Sequence, residues 1–296
     1  MTIYFSALIQ GILWGIMGMG LYISFRILRF TDLTSEASFT IGAAASVMFA
    51  SQGMHPILVL VVSILFGMLA GLVTGLLTTL FDIPDLLASI ITMTGLYSVN
   101  LRIMGRPNAS YRGSETIYSL IASWIEDINY QRLFIGLLIS LILILALQFF
   151  FRTDLGQAMI ATGDNPKMAQ SIGIKTKSMT CLALMIANGL IALAGALISQ
   201  DNSFTDISMG TGTVVIALAS IVIGELLLSK QVTLFVRLIS IVLGAIIYRL
   251  ILVFVLQLGL NPNDFKLISA LVLAVFLALP KFRYFLPHSL QRKGQA

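Results

Sequence analysis

ILVLVVSILFGMLAGLVTGLLTTLF, residues 57–81, is a run of 25 residues without a charged side chain. As an α-helix rising about 1.5 Å per residue, roughly 20 such residues cross the hydrocarbon core of a bilayer. A strand of a membrane β-barrel would instead alternate apolar and polar residues over about 10 positions. Gly67, Gly71 and Gly75 are spaced four residues apart, which lets a neighbouring helix approach closely. The run therefore predicts a membrane-spanning helix packed within a bundle.

The same pattern extends along the whole chain. Of its 296 residues, 58% are hydrophobic and 10% are charged, whereas soluble proteins carry roughly 25% charged residues. We predict an all-α polytopic membrane protein in which residues 1–296 form a single transmembrane domain of about nine spanning helices. The predicted spans are residues 3–25, 37–51, 57–81, 86–104, 132–150, 179–199, 213–228, 232–257 and 265–279.

The sequence offers little for catalysis or for an energy source within this chain. It has one cysteine, Cys181, and two histidines that are far apart, so we expect neither a disulfide nor a metal site. We find no Ser/His/Asp group and no Gly-Lys dipeptide, which excludes a phosphate loop of the G-x-x-x-x-G-K-[ST] type. Lys and Arg are scattered, and nucleic-acid binding is not indicated. We therefore expect no enzyme activity and no cofactor.

One long polar stretch, residues 151–180, carries a small structure of its own. Asn165 can cap a helix, Pro166 can occupy its first turn and Gly173 can close its end. The prediction is a short helix over residues 166–172, about 10 Å long. Met168, Ala169 and Ile172 form its apolar side. From spacing alone this helix is either a solvated connector on the lipid headgroups or an element that docks onto a partner.

The distribution of basic residues predicts the orientation. If residues 152–178 form a cytoplasmic loop, alternation of the spans places the basic tail 281–296 in the cytoplasm as well and the mixed loop 105–131 outside. When connectors, span ends and termini are counted and Arg237 and Arg249 within a span are set aside, 11 Lys and Arg residues then lie inside and 5 lie outside, as the positive-inside rule expects. The N-terminus is predicted outside and the C-terminus inside.

Polar and repeated features occur within the spans. Glu225 and Arg237 lie near one membrane face and are predicted to pair. The sequences LASII at 87–91 and LASIV at 218–222 recur in spans of opposite predicted direction. Such a recurrence is typical of an inverted repeat in a transporter, although five apolar residues also match by chance.

Three groups of residues resemble a known family. The sequences GQA at 156–158 and ATGDN at 161–165, with Ala169 and GI at 173–174, resemble the cytoplasmic coupling loop of ABC importer permeases of the branched-chain amino acid and ribose class. FTIGA at 39–43 resembles the Gly/Ala-rich second span of these permeases, and residues 210–224 resemble the Gly-x-Gly entry to their AxAxxxxGG-type span. At the end of that span Glu225 replaces the usual second glycine, which puts close helix packing there in doubt.

The resemblance implies a permease of the bacterial cell membrane that dimerises with a second copy or a homologue. It implies a separate ATP-binding subunit beneath, which would bind the ATP, and an extracytoplasmic substrate-binding protein that lands on the outer loops 105–131 and 200–212. The ATPase-coupling residues it implies are Gly163, Asp164, Asn165, Pro166, Met168, Ala169, Ile172 and Gly173, with contact made by the apolar ones. Candidates for the translocation path, chosen by polarity and depth, are Thr40, Ser46, Thr92, Asn100 and Asn188.

The expected function is import of an amino acid or a similar small solute, with an aromatic amino acid as one candidate. Two alternatives stay open. An ion-gradient-driven carrier would use Glu36 and Glu225 for coupling, and a membrane-embedded enzyme or scaffold would need a reactive cluster that we do not find.

Overall fold

A computed structural model describes residues 2–122, 124–228, 233–257 and 265–285 of the chain. The helices are α1 Thr2–Tyr22, α2 Thr34–Ser51, α3 Pro56–Leu80, α4 Asp85–Met104, α5 Ile128–Phe150, α6 Asp154–Asp164, α7 Pro166–Ser171, α8 Thr176–Asn202, α9 Thr213–Leu226, α10 Leu234–Gln257 and α11 Phe265–Phe285. Two short strands, β1 Asn108–Ser110 and β2 Phe204–Asp206, pair in antiparallel fashion. A π-helical turn, Ile23–Ile27, extends α1.

Within the described ranges, six helices are long and apolar enough to cross a membrane: α1 with its π-helical turn, α3, α4, α5, α8 and α10. The prediction of an all-α polytopic membrane protein is confirmed. The count of about nine spans stays a prediction. The helix α2 has 18 residues, many of them small and polar, and the apolar segments Thr213–Leu226 and Leu267–Ala278 are shorter than a full span.

The glycines of α3 pack against the backbone of α8, as predicted. A Cβ built on Gly71 would lie 2.2 Å from the carbonyl oxygen of Leu184, and one on Gly75 would lie 2.9 Å from the Cα of Cys181. The residue numbers rise along α3 as they fall along α8, so the two helices run antiparallel. A side chain larger than hydrogen at these glycines would separate α3 from α8.

The helix α10 packs on α1 in a similar way, and the two halves of the bundle repeat their contacts. In one group of helices α2 packs on α3, α4 and α8, and in the other group α9 packs on α10, α11 and α1. The two groups correspond when α2 is matched with α9, α3 with α10, α4 with α11 and α8 with α1. The sequences SILFG at 63–67 of α3 and SIVLG at 240–244 of α10 fit this correspondence. Their serines donate to the carbonyls of Val59 (2.9 Å) and Val236 (2.8 Å), four residues earlier in each helix.

This correspondence differs from the repeat that the sequence indicated. The match between 87–91 and 218–222 pairs α4 with α9, whereas the helix contacts relate α4 to α11 and α9 to α2. Short apolar matches of this kind arise because the same few residue types fill most buried positions in such helices.

Polar contacts define two ends of the bundle. At one end Arg26 pairs with Glu225, Arg29 with Asp164 and Lys177 with Asp82. At the other end Arg132 pairs with Asp201, and β1 pairs with β2. The predicted loops 152–178 and 105–131 therefore lie at opposite ends. The predicted tail 281–296 begins within α11, and its residues 286–296 lie outside the described ranges.

Candidate functional site

The polar stretch between α5 and α8 contains two helices, α6 and α7, where the sequence predicted one. The N-cap of α6 is Thr153, whose Oγ1 accepts from the N–H of Gly156 (3.4 Å). The N-cap of α7 is Asn165, whose Oδ1 accepts from the N–H of Met168 (3.1 Å), and Pro166 follows it. The left-handed residue that closes α7 is Gly173, with φ of 89°. The predicted capped helix is confirmed, and it ends at Ser171 rather than at residue 172.

The apolar residues of α7 do not share one exposed side. Met168 and Ile172 are 58% and 63% exposed, whereas Ala169 is fully buried. The carbonyl of Ala169 accepts from the N–H of Ile174 (3.0 Å), which folds the end of the helix over this position. The expectation that Ala169 supplies contact to a partner is therefore wrong, because its methyl group packs inside the chain. Met168 and Ile172 remain as the apolar surface of α7.

The corner between α6 and α7 is attached to the connection between α1 and α2, residues 28–33. A Cβ built on Gly163 would lie 1.9 Å from the carbonyl oxygen of Ile27. Beside this contact, Asp164 accepts from Arg29 Nη2 at 2.7 Å. Gly163 is thus an internal packing residue, and Asp164 joins the corner to the connection through an exposed ion pair.

The same connection carries a buried carboxylate. Asp32 is fully buried, and its Oδ1 accepts from the N–H of Thr34 at the start of α2 (2.9 Å). Its Oδ2 accepts from Nδ2 of Asn188 in α8 (2.7 Å). Burial raises the pKa of the Asp32 carboxyl above its ordinary value, and the hydrogen bonds from Asn188 and Thr34 act in the opposite direction. Asp32 therefore ties the first turn of α2 to the interior of α8.

Sequence reasoning did not assign Asp32 a role, although its spacing from Thr34 carried a signal. An aspartate two residues before a helix-starting threonine commonly bonds a backbone N–H there. Its partner Asn188 was predicted as a path residue, and it lies in the interior of the bundle in contact with Asp32.

A cavity of about 330 Å³ lies between α2, α4 and the segment that leads from β2 to α9. Two of the predicted path residues, Thr40 and Asn100, line it. It also borders Thr94 and Tyr97, which are exposed on α4, and Thr94 is the tenth of the 20 residues of that helix. The full lining is Glu36, Ala37, Thr40, Met93, Thr94, Tyr97, Asn100, Ile207, Gly210 and Thr211.

The other three predicted path residues are buried in helix contacts and do not line this cavity. Ser46 accepts from Nε2 of Gln200 (2.9 Å). Thr92 donates to the carbonyl of Ala88 (3.0 Å), within its own helix. The third is Asn188, held by Asp32 as described above. A path role for these three stays a prediction.

The predicted pair of Glu225 with Arg237 is replaced by two other contacts. Glu225 pairs with Arg26, and Nη1 of Arg237 donates to the hydroxyl of Tyr22 (3.0 Å). Both partners belong to α1 and its π-helical turn, which pack beside α9 and α10. The doubt about close packing beside Glu225 is also resolved: a Cβ on the preceding Gly224 would lie 2.5 Å from the carbonyl oxygen of Ser240.

The two loops at the end opposite α6 and α7 form one joined surface. Ala109 of β1 lies opposite Thr205 of β2, and the N–H of Ile117 donates to Oε1 of Gln200 (2.8 Å). The buried hydroxyl of Tyr111 lies 2.7 Å from Oγ of Ser199. Burial raises the pKa of Tyr111 to about 12. Within the described ranges, no three His, Cys, Asp or Glu side chains are grouped to hold a metal ion.

Comparison with known proteins agrees with this architecture. Residues 3–278 match the family described as branched-chain amino acid transport system, permease component. The chain is 38% identical over 281 residues to a tyrosine transport system permease protein of Clostridioides difficile (strain R20291), covering 92% of this chain and 90% of the relative. An uncharacterised protein of Rickettsia prowazekii (strain Madrid E) is 32% identical over 95% of this chain and 99% of its own length.

A more distant relative is an autoinducer 2 import system permease protein of Yersinia enterocolitica, 29% identical over 65% of this chain and 51% of its own length. The family match and the similarity to the Clostridioides protein both extend over most of the chain. The chain is therefore a multi-pass protein of the bacterial inner membrane, and it belongs to the family of permease components of branched-chain amino acid transport systems.

Proposed function

We propose that this permease is the membrane-spanning subunit of an ATP-driven importer whose ATP is bound and hydrolysed by a separate subunit. The observation that carries the proposal is α7. A six-residue helix, capped at both ends, exposes Met168 and Ile172 to the surroundings. Exposed apolar side chains on a short ordered element outside the spans are typical of an interaction site.

A mechanical link from α7 to the bundle supports the same proposal. The helix α7 follows α6, Gly163 of α6 packs on the end of α1, and Asp164 pairs with Arg29. Asp32, three residues further along the chain, holds both α2 and α8. When the ATPase moves α7, the tightly packed contact at Gly163 transmits this movement to the helices around the cavity as rigid-body motion.

We further propose that the end bearing α6 and α7 faces the cytoplasm and that the surface formed by β1 and β2 receives a substrate-binding protein. Exposed hydroxyl groups in the middle of α4, among them those of Thr94 and Ser98, suit a polar path or a second permease copy better than lipid. The relative named for tyrosine transport supports an amino acid as substrate, with an aromatic amino acid as the first candidate.

Replacing both exposed apolar residues of α7 tests the proposal. We expect the double variant Met168→Ser/Ile172→Ser to lose most co-purification with the ATPase subunit, because each side chain contributes about 1–3 kcal/mol when buried at an interface. The matched control is Phe204→Ser, an exposed apolar residue at the other end of the bundle, which should co-purify normally. Normal co-purification of the α7 variant would contradict the proposed docking site.

A further inference from the structure

The cavity between α2 and α4 has a charged side and an apolar side. Among its described lining residues Glu36 is the charged one, and Met93, Tyr97 and Ile207 are the large apolar ones. Its volume of about 330 Å³ lies at the lower end of the range for small-molecule sites, roughly 300–1,000 Å³. A solute of amino-acid size is therefore compatible with it.

The Glu36 carboxylate is held in place at the start of α2. Its Oε1 accepts from the N–H of Gly212 (2.8 Å), and its backbone carbonyl accepts from Oγ1 of Thr40 (3.2 Å). A Cβ on Gly210 would lie 2.0 Å from that same carbonyl oxygen, so the segment before α9 is pressed against this turn. The acidic side of the cavity is thus a fixed wall and not a mobile side chain in solvent.

A second polar side chain, that of Asn100, lines the same cavity. Asn100 is 1% exposed, and its Nδ2 donates to the carbonyl of Ala37 (3.3 Å). Its buried Oδ1 has no hydrogen-bond partner among the described residues. A buried acceptor without a donor costs free energy, and a ligand that brings an N–H group to it removes that cost.

We propose that this cavity binds the ammonium group of the transported solute, with the Glu36 carboxylate supplying the negative charge and Asn100 Oδ1 accepting an N–H. An ammonium group has three donors and no acceptor, which suits these two partners. The remainder of the solute lies against Met93 and Tyr97. The arrangement selects a solute with an ammonium group and an apolar or aromatic side chain, which the amino acid of the proposed function has. This inference rests on the proposed function, since it names what the importer recognises.

The electrostatic part of the inference can be tested on the purified permease. In a Cys181→Ala background, Thr94→Cys places a thiol on the cavity wall, and its modification is timed with a cationic and an anionic thiosulfonate of similar size. We expect Glu36→Gln to lower the cationic-to-anionic rate ratio about tenfold, because the Glu36 carboxylate and Thr94 line the same cavity and a charge acts strongly at partial burial. Glutamine retains an oxygen for the N–H of Gly212, so the wall is preserved. The control Glu115→Gln, exposed on the outer loop, should leave the ratio unchanged.

Transport gives the second readout. In vesicles that contain the permease, its ATPase and its binding protein, we expect Glu36→Gln and Asn100→Leu each to reduce uptake of radiolabelled tyrosine at least tenfold relative to the parent protein. An unchanged thiosulfonate ratio, or normal uptake by Glu36→Gln, would overturn the inference. Uptake by the parent protein that does not require ATP would instead contradict the proposed function, and the thiosulfonate ratio would still decide whether the cavity attracts cations.

Discussion

Gly163 and Gly95 both lie within helices, but they have very different surroundings. A Cβ on Gly163 would lie 1.9 Å from the carbonyl oxygen of Ile27, whereas a Cβ on Gly95 meets no atom within 4 Å. We expect Gly163→Ala to lower the free energy of unfolding by about 1–3 kcal/mol through overpacking. Gly95→Ala should be neutral or stabilising, by up to about 1 kcal/mol. Thermal unfolding of the two variants in the same detergent checks this, and equal melting temperatures would contradict the close contact.

The buried Asp32 predicts a specific dependence of stability on pH. Because burial raises the pKa of Asp32 in the folded state above the ordinary value of an aspartate, the folded protein binds this proton more tightly than the unfolded chain does. The stability that Asp32 contributes is therefore greatest at low pH and is lost as the pH rises through the raised pKa. Relative to Asp32→Asn, which does not titrate, the parent should become progressively less stable between about pH 4 and the raised pKa. A melting-temperature difference that is constant with pH would show that Asp32 is not buried in this way.

At the scale of elements, the long helices and the capped α7 could be predicted, and α6 could not. The predicted spans follow from apolar runs, and α7 follows from Asn165, Pro166 and Gly173, since each of these residues has a strong local preference. In α6, Gly156 and Gly163 lower the intrinsic helix propensity. Both are required by close tertiary contacts, because a Cβ on Gly156 would lie 2.4 Å from the carbonyl oxygen of Phe150. The sequence alone does not show these tertiary contacts, so it does not explain why α6 contains two glycines.

The candidate site could be predicted only in part, again because the packing of the helices is not visible in the sequence. Polarity and depth selected Thr40 and Asn100, which line the cavity, but they equally selected Ser46, Thr92 and Asn188, which make hydrogen bonds inside the bundle and do not line it. A serine, threonine or asparagine in a span can bond a neighbouring helix or face a cavity, and only the arrangement of helices separates these cases. The prediction for Ala169 was wrong because helical spacing shows which residues share a side of α7. It does not show whether a residue on that side contacts a partner protein or the rest of the chain.

At the scale of the whole molecule, we expect the two ends of the bundle to differ in their access to a membrane-impermeant thiol reagent. In a Cys181→Ala background, we expect Gln170→Cys to react with a membrane-impermeant thiol reagent only after the membrane is opened. Glu115→Cys should react in spheroplasts with the membrane intact. This follows from the ion pairs that place α6 and α7 at one end and from the excess of basic residues there. Labelling of Gln170→Cys in intact spheroplasts would invert the proposed orientation.

The central claim is that this permease moves its solute only when a separate ATPase drives it through α7. The most direct measurement is uptake of radiolabelled tyrosine into vesicles that contain the permease, the ATPase subunit and the binding protein, with ATP on the side of α7. Uptake should stop when ATP is replaced by a non-hydrolysable analogue, and it should fall at least tenfold in Met168→Ser/Ile172→Ser. Uptake by the permease alone, driven by an ion gradient and indifferent to ATP, would show that no ATPase drives transport through α7.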